Sequence, residues 1–473
     1  MRLRSWTAIF VALSVTPMTL ADSHTAGVPQ LTSRSGAAYT IYLDPAGFNY
    51  DGTWLEKTPG NNLGLNGRGP TDSFVTDPDD QTTIRAIWAQ VANQYRSFDV
   101  NVTTVDPAVA AGQAATDVQR KDYYDSQPRM MHTVIGPPGN AGWQGSADGL
   151  AALGVISTVA TAGSGEHTNW MFSQDVNTGT PVGNGTYIGS ISSHEGGHTF
   201  GLNHQSDYNG TTIVNEYGFG DSSSGPGSYV AIMGNGSDRQ RVTWRKGYAN
   251  QGGTPVVQND VATIAGNVGM SFVDGGIGHS FATATPLALT PSGTIDVSNP
   301  LHRGVINPVN SGSGFDPHGD YTHDVFSFVS DGVTPITLTL NDGNDLLSPG
   351  VADNGATLRS KLSIFDATFT LVSMGLEDAS TLFDAYSGTL PAGTYFAQIA
   401  SFGGHLESSG FVQADYYDMG GYFLTGSGFV VVPEPGALVG WGVFALLLLR
   451  RRATPPRRES SFGPRLISPG YSA

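Results

Sequence analysis

HEGGHTFGLNH, residues 194–204, is the stretch on which the reading of this chain turns. His194 and His198 are four apart, so on a helix both rings stand on one face. Glu195 lies about 100° further round, beside that face and not on it. Gly201 can close the helix, because glycine readily takes the left-handed conformation of a C-cap, and His204 can return from beyond the turn. Between the first two histidines stand Gly196 and Gly197. Each costs about 1 kcal/mol against alanine in a helix interior, so a helix selected only for stability would avoid them. Two compensations are open: metal binding, which contributes on the order of 10 kcal/mol in zinc peptides, or close approach by another segment.

Neutral imidazole is a good zinc ligand, and this spacing lets three rings reach one ion while leaving a fourth position open. A glutamate beside such an ion is placed to act as general base on a metal-activated water. The full pattern, H-E-x-x-H-x-x-G-x-x-H, resembles the metzincin clan of zinc endopeptidases. By that resemblance His194, His198 and His204 bind one catalytic Zn2+ and Glu195 is the catalytic base. The clan also carries a methionine turn beneath the metal, and Ala231-Ile232-Met233-Gly234 fits it with Met233. Asn235 stands where some members place a tyrosine ligand, so none is assigned there. His204-Gln205-Ser206-Asp207 matches a frequent clan pattern, in which Asp207 is expected to hold the turn or the methionine segment. VNVTTVDP, YGFG, IMGNG, VTWRKGYAN and QNDVATIA resemble a group of secreted bacterial metzincin-like proteins, so the likeness spans residues 39–268. It implies hydrolysis of a protein or peptide substrate paired with an edge strand, for which Asn169–Phe172 is the candidate.

The same region reads as an α/β (α+β) unit with a mixed sheet and an active-site helix. Tyr39 to Leu43 reads as a strand. Ile84, Ile87, Trp88, Val91 and Tyr95 line one helix face, with Asp79 or Asp80 as cap, and residues 99–105 alternate as the next strand. Strand, helix and strand at this spacing predict a βαβ unit. Met130 to Ile135 and Leu153 to Val159 are further strand candidates. Past residue 268 helical periodicity gives way to short alternating runs: Val325–Phe328, Ile336–Leu340, Leu362–Phe365, Tyr395–Ile399 and Tyr422–Leu424. These predict an all-β sandwich. HDVFSF, SKLSIFDATFTLV, LPAGTYFAQI and GYFLTGS, in that order, resemble the pre-peptidase C-terminal domain over residues 279–428.

The ends read as addresses. Arg2 and Arg4 precede an apolar run, and Thr19-Leu20-Ala21 is a cleavage site, so residues 1–21 form a secretory signal followed by a linker over 22–38. Near the other end Val432-Pro433-Glu434-Pro435, fourteen uncharged residues from Gly436 to Leu449, and Arg450 to Arg452 resemble a PEP-CTERM sorting signal (432–452), ahead of a basic tail (453–473). That signal implies an exosortase-like processing enzyme and delivery to the exterior or surface of a Gram-negative cell. Membrane contact is expected only through this segment. Without residues 1–21 and 436–473 the chain carries 15 basic against 39 acidic side chains. Such a surface excludes nucleic acid as a partner. The absence of cysteine excludes disulfides, thiolate metal sites and cysteine nucleophiles.

Two further readings compete. A non-catalytic surface or matrix adhesion protein would retain a structural zinc. Glu195 counts against it, because a structural site needs no base and more often closes with a fourth ligand. Calcium is the other, since aspartate outnumbers glutamate 32 to 8. His318, Asp320, His323 and Asp324, and separately Asp342, Asn344 and Asp345, could form such a loop, although a polar strand start is the plainer reading of both.

Overall fold

The computed structural model describes residues 25–49, 70–71, 78–136, 148–158, 165–172, 185–221, 225–235, 239–312, 314–342, 356–375, 382–406 and 415–432. Residues 1–21, read above as a secretory signal, the part of the expected sorting signal beyond Val432, and Asn344 and Asp345 fall outside them. The described chain is mostly β-sheet with few helices. Among these residues no helix is long and apolar enough to cross a membrane.

The N-terminal half is built on a five-stranded mixed sheet. Tyr39–Asp44 pairs in parallel with Val100–Thr103 on one side and Met130–Gly136 on the other. Thr168–Phe172 adds a fourth parallel strand, and Gly149–Leu150 closes that edge in the antiparallel sense. The expected connecting helix spans Pro78–Gln94. Proline tolerates the first helical position because its missing N–H would have no partner there. Asp79 and Asp80 therefore lie within the helix's first turn, not ahead of it. Ile84, Ile87, Trp88, Val91 and Tyr95 are all buried, and Trp88 Nε1 donates to the Val102 carbonyl at 2.9 Å. The helix also packs on the second long helix, Gly185–Thr199, where Gln90 and Gln94 each donate to Ser190 Oγ at 3.3 Å.

Two expectations need correction. Asn169–Phe172 is not an edge. It is part of Thr168–Phe172, which has a neighbour on both sides and is buried throughout. A short apolar run reads the same in sequence whether a strand is central or lateral. Leu153–Val159 is not a strand over its described part, 153–158, which turns at Gly154 (φ 71°). Its backbone instead caps the Gly185–Thr199 helix: Gly154 N donates to His198 O at 2.9 Å and Ile156 N to Thr199 O at 3.1 Å. Those carbonyls have no partner within the helix.

The C-terminal half is a two-sheet sandwich. One sheet orders Thr285–Pro286, His323–Ser330, Gly393–Ser401, Ser360–Asp366 and Leu371–Met374; the other orders Arg303–Ile306, Gly420–Ser427, Ile336–Asp342 and Phe383–Gly388. Every alternating run singled out from sequence falls in one of these strands. Their inward residues, among them Phe326, Leu338, Leu340, Ile364, Ile399 and Leu424, share one core.

The halves are not merely strung together. The hairpin of Arg245–Gln251 and Thr254–Asn259 is extended by Asp415–Tyr416 and then His405–Leu406. Tyr417 and Met419 lie in the main core of the N-terminal half, with Tyr95, Met233 and Trp244.

Candidate metal centre

The Gly185–Thr199 helix carries His194, Glu195 and His198, and its end brings His204 back. Gly201 is left-handed, with φ 102°, and its N–H bonds to His198 O at 2.8 Å, while Leu202 N bonds to Gly197 O at 3.0 Å. The chain therefore reverses within one turn, and the ligand atoms of the three histidines lie within 4.8 Å of one another. They are the one grouping of three or more metal-type side chains among the described residues.

Each ring has its Nδ1 occupied. His194 Nδ1 meets the Ile232 carbonyl at 2.8 Å, His198 Nδ1 the Leu202 carbonyl at 2.6 Å, and His204 Nδ1 the Glu216 carboxylate at 2.9 Å. These partners are acceptors, so the proton belongs on Nδ1 and each Nε2 presents a lone pair. The Nε2 atoms of His198 and His204 stand 3.1 Å apart. Two lone pairs at that distance repel unless a cation lies between them. Tetrahedral zinc ligands at about 2.0–2.1 Å would be about 3.3 Å apart. Burial, then His198 and His204, hold His194 well below the ordinary imidazole value. Burial and then His204 push His198 down to about 4. Both rings are thus neutral near pH 7, the form that binds metal. The donor set fits a borderline divalent cation such as zinc.

The two helix glycines have steric partners. A Cβ on Gly197 would overlap Met233 Sδ. A Cβ on Gly196 would stand 2.6 Å from Tyr95 Oη, whose hydroxyl donates to Ser193 O at 3.0 Å. Close approach is therefore one of the two compensations left open by the sequence. Met233 lies fully buried beneath the helix, and the residue before it supplies the carbonyl that orients His194.

Glu195 is buried beside the histidines. Burial, and secondly Asp148, push its carboxyl well above the ordinary range, and Tyr187 Oη holds Asp148 at 3.2 Å. The edge strand Gly149–Leu150 passes directly over it, and a Cβ on Gly149 would overlap the Glu195 carboxyl group.

Asp207 holds the loop that follows it. Its Oδ2 accepts from Asn215 Nδ2 at 3.0 Å and Phe219 N at 3.2 Å, which pins the loop bearing Glu216 and Tyr217. The Tyr217 ring lies 4.4 Å from that of His204 and 6.0 Å from that of His194. Sequence reasoning missed Asp148, Gly149 and Glu216. Only Glu216 had a signal, as the residue immediately before the YGFG string. The calcium candidates among the described residues form no group that could hold an ion, while Asn344 and Asp345 lie outside those residues. His318 pairs with Asp415 at 3.1 Å, Asp324 accepts from Tyr422 Oη at 2.6 Å, and Asp342 faces Arg241 at 3.5 Å.

No family model matches the chain, and no curated protein matches it. Among solved structures it is similar to the pre-peptidase C-terminal domain of a collagenase from Bacillus anthracis, at 11% identity over 30% of this chain and 93% of that one, with a TM-score of 0.18. It is also similar to PliG of Aeromonas hydrophila, a periplasmic inhibitor of g-type lysozyme, at 12% identity over 30% and 93% of the two chains, with a TM-score of 0.16. Scores this low carry no argument about fold or activity.

Proposed function

We propose that the protein is an exported zinc-dependent endopeptidase of metzincin type, with His194, His198 and His204 as metal ligands and Glu195 as general base. The observation that carries this reading is the convergence of three imidazoles, each fixed through Nδ1, beside a buried carboxyl group. Zinc, when bound, supplies a Lewis acid that acidifies water and polarises a carbonyl. Glu195 accepts the proton of the attacking water and passes it to the leaving amine. The Gly149–Leu150 strand, not Asn169–Phe172, is the last strand of the sheet among the described residues, and it offers the edge along which an extended peptide would pair. Gly149 lets that edge pass close to Glu195, so a peptide paired there would bring its carbonyl toward the proton acceptor. A structural-zinc adhesion protein would not need a buried carboxyl at this position.

The test is casein hydrolysis by the purified protein beside Glu195→Gln, with zinc determined in both. Chelator-sensitive hydrolysis by the wild type alone, with about one zinc in each protein, is the expected result. Equal hydrolysis by the variant would refute the assignment of Glu195.

A further inference from the structure

The groups that orient the metal-site histidines are themselves held by the C-terminal half. The Ile232 carbonyl, which orients His194, follows the strand Tyr229–Ala231. The ring of Tyr229 lies flat on that of His405, with centroids 4.1 Å apart and planes 8° from parallel. Its hydroxyl donates to Asp418 Oδ1 at 2.7 Å. The second support, Glu216 on His204, begins a loop that runs to Asp221. Asp221 Oδ2 accepts from Tyr229 N at 2.8 Å and lies 3.1 Å from His405 Nε2. Midway, the Gly218 carbonyl accepts from Asn235 N at 2.9 Å, tying the loop to the methionine turn. One imidazole therefore touches both the strand leading to Ile232 and the loop leading from Glu216.

We propose that His405 and Asp418 are positioning residues for the metal centre, so that the C-terminal half sets metal affinity through Tyr229 and Asp221 while touching no ligand. This rests on the metal reading above and deepens it. Removing groups that orient metal ligands lowers affinity about ten- to a hundredfold, and the same range is expected here.

The experiment uses the full chain. Zinc affinity is measured by competition with a chromophoric chelator, and the visible spectrum is recorded after cobalt(II) loading. The proteins are wild type, His405→Ala, His405→Phe, Asp418→Asn and Val333→Ala, the last a control on the sandwich surface where the side chain is 79% exposed. His405→Ala and Asp418→Asn should weaken zinc about ten- to a hundredfold and shift the cobalt bands. His405→Phe keeps the stacking on Tyr229 and loses the contact with Asp221, so it should fall between. Val333→Ala should match wild type. Folded variants with wild-type affinity and spectrum overturn the inference. If His405→Ala does not fold, His405→Phe and Asp418→Asn decide it. Failure of the wild type to take up either metal overturns the metal reading, and that failure is visible before any variant is made.

Discussion

Replacing Gly196 by alanine sets helix propensity against packing. Propensity alone would stabilise the protein by about 1 kcal/mol. The new Cβ, however, would stand 2.6 Å from Tyr95 Oη and 3.4 Å from Met131 Sδ. The Tyr95 ring is only 1% exposed and packs on Phe200 and Trp244, with centroids 5.7 and 5.3 Å away, so it has little room to retreat. Crowding of this kind costs about 1–3 kcal/mol, and a buried hydroxyl forced off Ser193 O costs about 1–3 kcal/mol more. The balance is a loss of about 1–5 kcal/mol. Tyr95→Phe removes the obstructing atom, so in that background Gly196→Ala should be neutral or stabilising by up to about 1 kcal/mol. Urea unfolding of the four proteins in excess chelator, followed by circular dichroism, measures the cycle without any contribution from metal. A coupling of about 2 kcal/mol or more is expected. Equal effects of Gly196→Ala in both backgrounds would refute the steric reason for the glycine.

Three more outcomes follow from the same geometry. Gly149→Ala places a methyl group on the Glu195 carboxyl, so casein hydrolysis should fall more than about tenfold while zinc content stays unchanged. Glu216→Ala removes the acceptor for His204 Nδ1 and should weaken zinc about ten- to a hundredfold in chelator competition; Glu216→Gln, which keeps an acceptor oxygen, should lose less. Asp324 is raised to about 6, first by burial and against the hydrogen bond from Tyr422. The folded state therefore holds this proton where the unfolded state, at an ordinary 3.8, has lost it, and stability falls as pH rises from about 4 to about 6. Asp324→Asn should gain about 3 kcal/mol on wild type across that window, measured by unfolding at pH 4 and pH 7.

The histidine helix and its C-cap were legible because their chemistry is local. The i, i+4 spacing, the glycine seven residues after His194 and the returning His204 all lie within eleven positions. The sandwich strands were legible because alternation repeats within each one. What the sequence hid depends on pairing between distant segments. Gly149–Leu150 is an edge only because it pairs with Trp170 and Met171. Glu216 is an ordinary loop residue until the loop folds over His204. Tyr416, Tyr417 and Met419 read as part of the sandwich, yet they pack on Trp244 and its neighbours. The two glycines were read correctly as costly, but sequence could not name Tyr95 or Met233 as the groups that need their space.

The placement of Tyr417 and Met419 in the N-terminal core also bears on the order of folding. A chain synthesised through residue 400 already holds every proposed ligand, the glutamate and the methionine beneath them. It lacks the side chains that close the core around Trp244 and the hydroxyl acceptor for Tyr229. Contacts between residues more than 150 positions apart form late, because the intervening chain must be ordered before they give any return. Assembly of the centre is therefore tied to synthesis of residues 405–419, and a shorter nascent chain would carry the motif without the scaffold that aims it.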